Sequence, residues 1–170
     1  MNTYIKKIKS GKKSVSDMIS NFDFYKYISK QLPIVLSSEL HTYAIEDLVD
    51  NPFEASVILI ENPQVNHWVL INKFGNEIQY FDSYGVPLEN GDIKFYKEAI
   101  VPKFKLTSNK IPYQKLANNI NTCGPHVLMR LLTLIEYKFD LKKHHRFMKE
   151  LSKHFKEDYD NLVTMFVPLD

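Results

Sequence analysis

Four residue types in this chain can combine into acyl-transfer chemistry: a cysteine, a histidine, an aspartate and a side-chain amide. The only cysteine, Cys123, stands in NNINTCGPHVLMRLL, Asn118 to Leu132. A long apolar run follows it, which places Cys123 at or near the N-cap of a buried helix. Unpaired backbone N–H groups and the positive end of the helix dipole favour a thiolate there. Gly124 beside it would let a substrate backbone approach closely. The competing reading is an inert thiol that packs as a small buried hydrophobe.

A cysteine nucleophile needs a base. Of the six histidines, His41, His126, His144, His145 and His154 fall on expected helices or their edges. His126 should point away from the cap, into packing or a hydrogen bond. His67 differs, because it opens the strand HWVLIN after a polar loop. A turn at Gly75-Asn76 folds that strand against IQYFDSYG, so its start lies beside the end of the second strand. His67 and Asp82 then share one end of a hairpin. A carboxylate there can fix the imidazole tautomer and stabilise its cation. Against this, a lone histidine at a strand start is often structural, and Asp82 could simply cap the turn DSYG.

Acyl transfer also needs N–H donors where negative charge develops. The backbone N–H of Cys123 is one. A side-chain amide upstream would be the second, and Gln114, Asn118, Asn119 and Asn121 are all candidates.

The elements that must hold these groups can be read from periodicity. Apolar positions Val15, Met18, Ile19, Phe22, Tyr25, Tyr27 and Ile28 recur at helical spacing between Ser14 and Gln31, and Pro33 ends that element. LSSELHTYAIEDLVD suggests one or two short helices with Ser37 or Ser38 as N-cap. ASVILIE suits a central strand. GDIKFYKEAIVPKF reads as a helix, KLTSNKIPYQ as a further strand, and CGPHVLMRLLTLIEYKF as a buried helix with Pro125 in its first turn. Leu141 to Tyr159 reads as one amphipathic surface helix. The sum is an α+β fold: a small, mostly antiparallel sheet packed with helices, with Cys123 at the N-terminus of a buried central helix.

Composition bounds the class. The 170 residues suit one domain, with Met1 to Lys13 as a basic lead-in, and 44% hydrophobic with 25% charged residues is ordinary globular usage. The net charge of +2 does not by itself mark a nucleic-acid binder. Lysines cluster at Lys6, Lys7, Lys9, Lys12 and Lys13, and basic residues again at Lys142, Lys143, Arg146 and Lys149. These read as a solvated tail and helix face, or as a weak polyanion site. One cysteine excludes an internal disulfide and a multi-cysteine zinc site. No apolar run approaches the ~18 residues of a membrane span, and no secretory signal is evident.

The order His67-Trp68, then FDSYG, then NTCG resembles the adenovirus-type cysteine endopeptidases, which share a fold with the SUMO-specific proteases. It looks most like the maturation proteases of virophages, Polinton-like elements and giant DNA viruses. The resemblance covers roughly Ile34 to Tyr137. It implies Cys123 as nucleophile, His67 as general base and acid, Asp82 as its orienter and Trp68 as a shield beside the imidazole. The family's oxyanion glutamine stands about six or seven residues before the cysteine, where this chain has Leu116 and Ala117. Gln114 lies nine residues before Cys123, which implies a longer loop, with Asn119 and Asn121 in reserve. The resemblance further implies capsid or other virion precursors as protein substrates, small residues before the cut, and a virion or viral-factory location in the host cytoplasm. Weak DNA or peptide activation would fit some relatives. No cofactor, metal or membrane is implied. The rival expectations are a ubiquitin- or SUMO-directed isopeptidase on the same fold, and a non-enzymatic capsid- or nucleic-acid-associated protein.

Overall fold

The computed structural model describes residues 19–64, 66–90, 93 and 104–167. The basic lead-in and the start of the helix expected from Ser14 lie outside the described residues. So does GDIKFYKEAIVPKF, apart from Ile93 and Phe104.

Helix α1 spans Asn21–Tyr27. The Asp23 carboxylate fixes its start by accepting from the Ser20 N–H at 2.7 Å and hydroxyl at 2.9 Å. Because the chain is extended through Ser20, the helix buries Phe24 and leaves Phe22 81% exposed. This corrects the expected apolar face, which used Phe22.

Strands β1 (Ile34–Leu36), β2 (Ala55–Ile60), β3 (His67–Phe74), β4 (Glu77–Asp82) and β5 (Lys105–Ser108) form one sheet in that order. The β2–β3 and β3–β4 pairings are antiparallel, whereas β1–β2 and β4–β5 are parallel. The sheet is therefore mixed, with an antiparallel centre and parallel edges. Its parallel members are edge strands of three and four residues, too short to carry a periodic signal. Between β1 and β2 run two 3-10 segments, Ser37–Thr42 and Ile45–Val49, in place of the expected helices. Ser37 and Ser38 do not cap a helix. The Ser37 hydroxyl accepts from the Glu61 N–H at 2.9 Å, and Ser38 donates to the Glu61 carboxylate.

The β3–β4 hairpin turns at Gly75-Asn76, with Phe74 opposite Glu77. Gly75 has φ 57° and Asn76 is not in the left-handed region, which is the II′ pattern that matches strand twist. The two-residue period divides the sheet's faces. Trp68, Leu70 and Phe81 join one cluster with helix α2 (Cys123–Tyr137). Val69, Ile71, Ile78 and Tyr80 join the other, under the 3-10 segments.

Helix α2 is buried along nearly its whole length. Arg130, midway along it, is fully buried. It donates to the Phe139 carbonyl at 2.9 Å, to Gln79 Oε1 at 3.0 Å and to Asn72 Oδ1 at 3.3 Å, tying the helix to β3 and β4. The expected single C-terminal helix is two, α3 (Leu141–Phe155) and α4 (Tyr159–Phe166). Lys156 turns left-handed at φ 57°, and Asp158 starts α4 by accepting from the Asn161 N–H at 2.9 Å. Among the described residues, no helix is long and apolar enough to cross a membrane.

Candidate active site

The hairpin register sets the first contact. Val69 pairs with Asp82, so His67 is the diagonal neighbour of Asp82 on the same face. His67 Nε2 lies 2.9 Å from Asp82 Oδ1. That leaves Nδ1 as the ring nitrogen not engaged by Asp82, and Cys123 lies near enough to favour the protonated ring. Cys123 begins α2 on the opposite face, so the three groups meet over the end of the sheet. Burial alone would push the His67 pKa down. Hydrogen bonds to Asp82 and Cys123, and the negative charge of both, override it and raise the pKa from 6.5 to about 9.

The four residues of DSYG each build part of this arrangement. Asp82 Oδ1 also accepts the Tyr84 N–H at 2.7 Å, so Asp82 closes a turn as well as holding His67. Its backbone is clamped by Asn109, which accepts its N–H at 2.8 Å and donates to its carbonyl at 2.7 Å. Ser83 holds Gln114: its hydroxyl donates to Gln114 Oε1 at 2.8 Å, and its carbonyl accepts the Gln114 N–H at 2.9 Å. The Tyr84 ring stacks on His67 with centroids 4.8 Å apart. Burial is the largest cause that raises the Tyr84 pKa. Gly85, at φ 73°, lies so close to the Ile111–Pro112 peptide that a Cβ would sit 2.9 Å from backbone atoms.

Gln114 is buried, and its Nε2 donates to the Ile120 carbonyl at 3.1 Å. Its amide is thus oriented by Ser83 on one side and by the loop before Cys123 on the other. The nine-residue spacing is absorbed by a turn closed by the Ile120 N–H on the Ala117 carbonyl at 3.1 Å. That turn exposes Asn118 and Asn119, while Asn121 is half-buried beside Cys123.

Two expected roles are corrected. Trp68 alternates away from His67 along β3. It packs edge-on against Phe24 at 5.1 Å and donates from Nε1 to the Ile19 carbonyl at 3.3 Å. The ring stacked on the imidazole is that of Tyr84. The space beside Gly124 is not open to a substrate backbone, because a Cβ there would lie 1.5 Å from Ile19 Cγ2. Ile19, Ser20, Leu59, Asn66, Trp68 and Asn121 line a groove of about 300 Å³ that reaches Cys123. A second hollow of about 400 Å³ includes Tyr84, Gln114, Leu116 and Tyr159.

Thr122 occupies the N-cap position of α2 but makes no side-chain cap. Its hydroxyl donates to Asp160 instead. The Thr122 side chain therefore does not occupy the first helical N–H groups, which are those of Cys123 and Gly124, since Pro125 has none. His126 points away from the thiol, as expected for its place on the helix, with Nε2 3.2 Å from Asp160 Oδ1. Sequence reasoning missed Ser83, Tyr84, Asn109 and Asp160. DSYG carried a signal for the first two, as it lies beside the proposed orienter, but nothing local marks the others. Among the described residues, no group of three or more His, Cys, Asp or Glu is arranged to hold a metal ion.

No family model matches the chain. In shape it is similar to the central domain of the uncharacterized Lpg1148 protein from Legionella pneumophila. That likeness has a TM-score of 0.45 at 16% identity and covers 89% of this chain and 95% of that one. In sequence it is 31% identical over 164 residues to the uncharacterized protein V9 of Sputnik virophage, covering 86% of this chain and 92% of V9. The chain belongs to the same family as V9 of Sputnik virophage.

Proposed function

We propose that this protein is a cysteine endopeptidase of the adenovirus type that cleaves capsid or other virion precursors during maturation. The observation that carries the reading is one histidine bonded to Asp82 at 2.9 Å, with Cys123, at a helix N-terminus, near enough to favour its protonated form. With its pKa raised to about 9, His67 holds its proton at neutral pH, as an imidazolium paired with a thiolate requires.

In that mechanism the thiolate attacks the substrate carbonyl carbon and the carbonyl electrons move to oxygen. The Cys123 N–H and the Gln114 amide stabilise that oxyanion. His67 gives its proton to the leaving amine, whose bond to carbon breaks to leave a thioester. His67 then takes a proton from water, which attacks the thioester and releases Cys123. Asp82 and the Tyr84 ring hold the imidazole plane. The virophage relative fits a viral context, and with it a virion or viral-factory location.

Alkylation by iodoacetamide near neutral pH tests the nucleophile without knowledge of the substrate. Cys123 should react faster than a model-peptide thiol, and His67→Ala should remove the excess. A wild-type thiol no faster than the model peptide would favour a non-enzymatic protein. Labelling of Cys123 by a ubiquitin or SUMO probe would instead favour an isopeptidase.

A further inference from the structure

The eight residues from Lys115 to Thr122 join the two proposed oxyanion donors, the Gln114 amide and the Cys123 N–H. The middle of this loop faces solvent, with Leu116 86% exposed and Asn118 and Asn119 exposed as well. Left to itself, such a loop would let the donors at its two ends drift apart.

One carboxylate holds both ends. Asp160, in the first turn of α4, is 2% exposed. Its Oδ2 accepts the Lys115 N–H at 3.1 Å, next to Gln114. Its Oδ1 accepts the hydroxyl of Thr122, next to Cys123. The same oxygen lies 3.2 Å from His126 Nε2, in the first turn of α2. Outside this cluster, the Lys115 ammonium bonds Asp158 at 2.6 Å. Among the described residues, these donors to the Asp160 side chain come from the loop or from the helix turn that carries Cys123.

We infer that Asp160 is a positioning residue: it fixes the spacing between the Gln114 amide and the Cys123 N–H so that both address one substrate oxygen. Thr122 gives up its capping role to reach Asp160, and this leaves the helix N–H groups for the oxyanion. Helix α4 carries no reacting group, yet turnover depends on it. The inference rests on the peptidase reading.

Alkylation and amide hydrolysis separate the two ideas. Iodoacetamide loses iodide at carbon and builds no oxyanion, so it reads the nucleophile alone. Hydrolysis of a fluorogenic peptide amide ending in Gly-Gly needs both donors. Thr122→Val and Asp160→Ala should each lower kcat by roughly 10–10²-fold, with KM and the alkylation rate held within about twofold. The double variant should lose no more than Asp160→Ala alone. Should Asp160→Ala fail to fold, the near-isosteric Thr122→Val carries the test. Asp140→Ala, which uncaps α3 and touches no part of the site, should keep wild-type kcat. Unchanged kcat in Thr122→Val overturns the inference. So does a fall in both rates that merely follows the folded fraction. Active wild-type protein with unaffected variants removes only the inference. A wild-type protein that neither hydrolyses the peptide nor alkylates faster than a model thiol removes the peptidase reading with it.

Discussion

Two histidine–aspartate pairs stand among the described residues. His67–Asp82 spans 2.9 Å and His126–Asp160 spans 3.2 Å, both through Nε2. Their rings behave in opposite ways. His67 is raised to about 9, whereas burial pushes the His126 pKa below its ordinary value despite Asp160. His67 retains some exposure, and Cys123 as well as Asp82 favours its protonated form. His126 is sealed in, and its carboxylate also serves Thr122 and the Lys115 N–H. A carboxylate beside a histidine therefore does not decide the charge on the ring. The balance of burial and competing donors does. The first is the proposed proton carrier, and the second bonds both ends of the loop before Cys123.

That contrast can be broken at several points. His67→Ala should reduce peptide cleavage by roughly 10²–10⁴-fold with little change in thermal stability. The reverse pattern is expected of His126→Ala, which leaves a buried carboxylate short of a donor. It should lower stability by about 2–4 kcal/mol in denaturant unfolding. Gln114→Ala should lose roughly 10²–10³-fold in kcat if its amide meets the oxyanion. An unchanged kcat would move that role to Asn121, which also lies beside Cys123. Asp82→Asn should shift the basic limb of the pH–rate profile to lower pH. In the wild type that limb should lie near 9, because activity is lost as His67 gives up its proton on rising pH. The gentlest test is spectroscopic. Ring-nitrogen shifts at pH 7 should report a charged His67 and a neutral His126.

Local signals made part of this legible. The β-branched runs marked β2 and β3, and Gly75-Asn76 fixed a register that brings His67 beside Asp82. The apolar run after Cys123 announced a buried helix. The α1 face was misjudged because the helix begins only at Asn21, so its phase buries Phe24 in place of Phe22. The short strand β1 has no period to detect. Gly124 looked like room for a substrate, but its neighbour Ile19 comes from a segment far away in sequence. Asn109 and Asp160 act through contacts 27 to 45 residues distant, which no window of sequence reveals. In DSYG, by contrast, four adjacent residues each touch a different part of the site.

The most direct measurement is cleavage of the proposed capsid-precursor substrate by purified wild-type and Cys123→Ala proteins, with equal folding checked by circular dichroism. Wild-type protein should release discrete fragments, and Cys123→Ala should release none. Equal processing by both proteins would contradict the account.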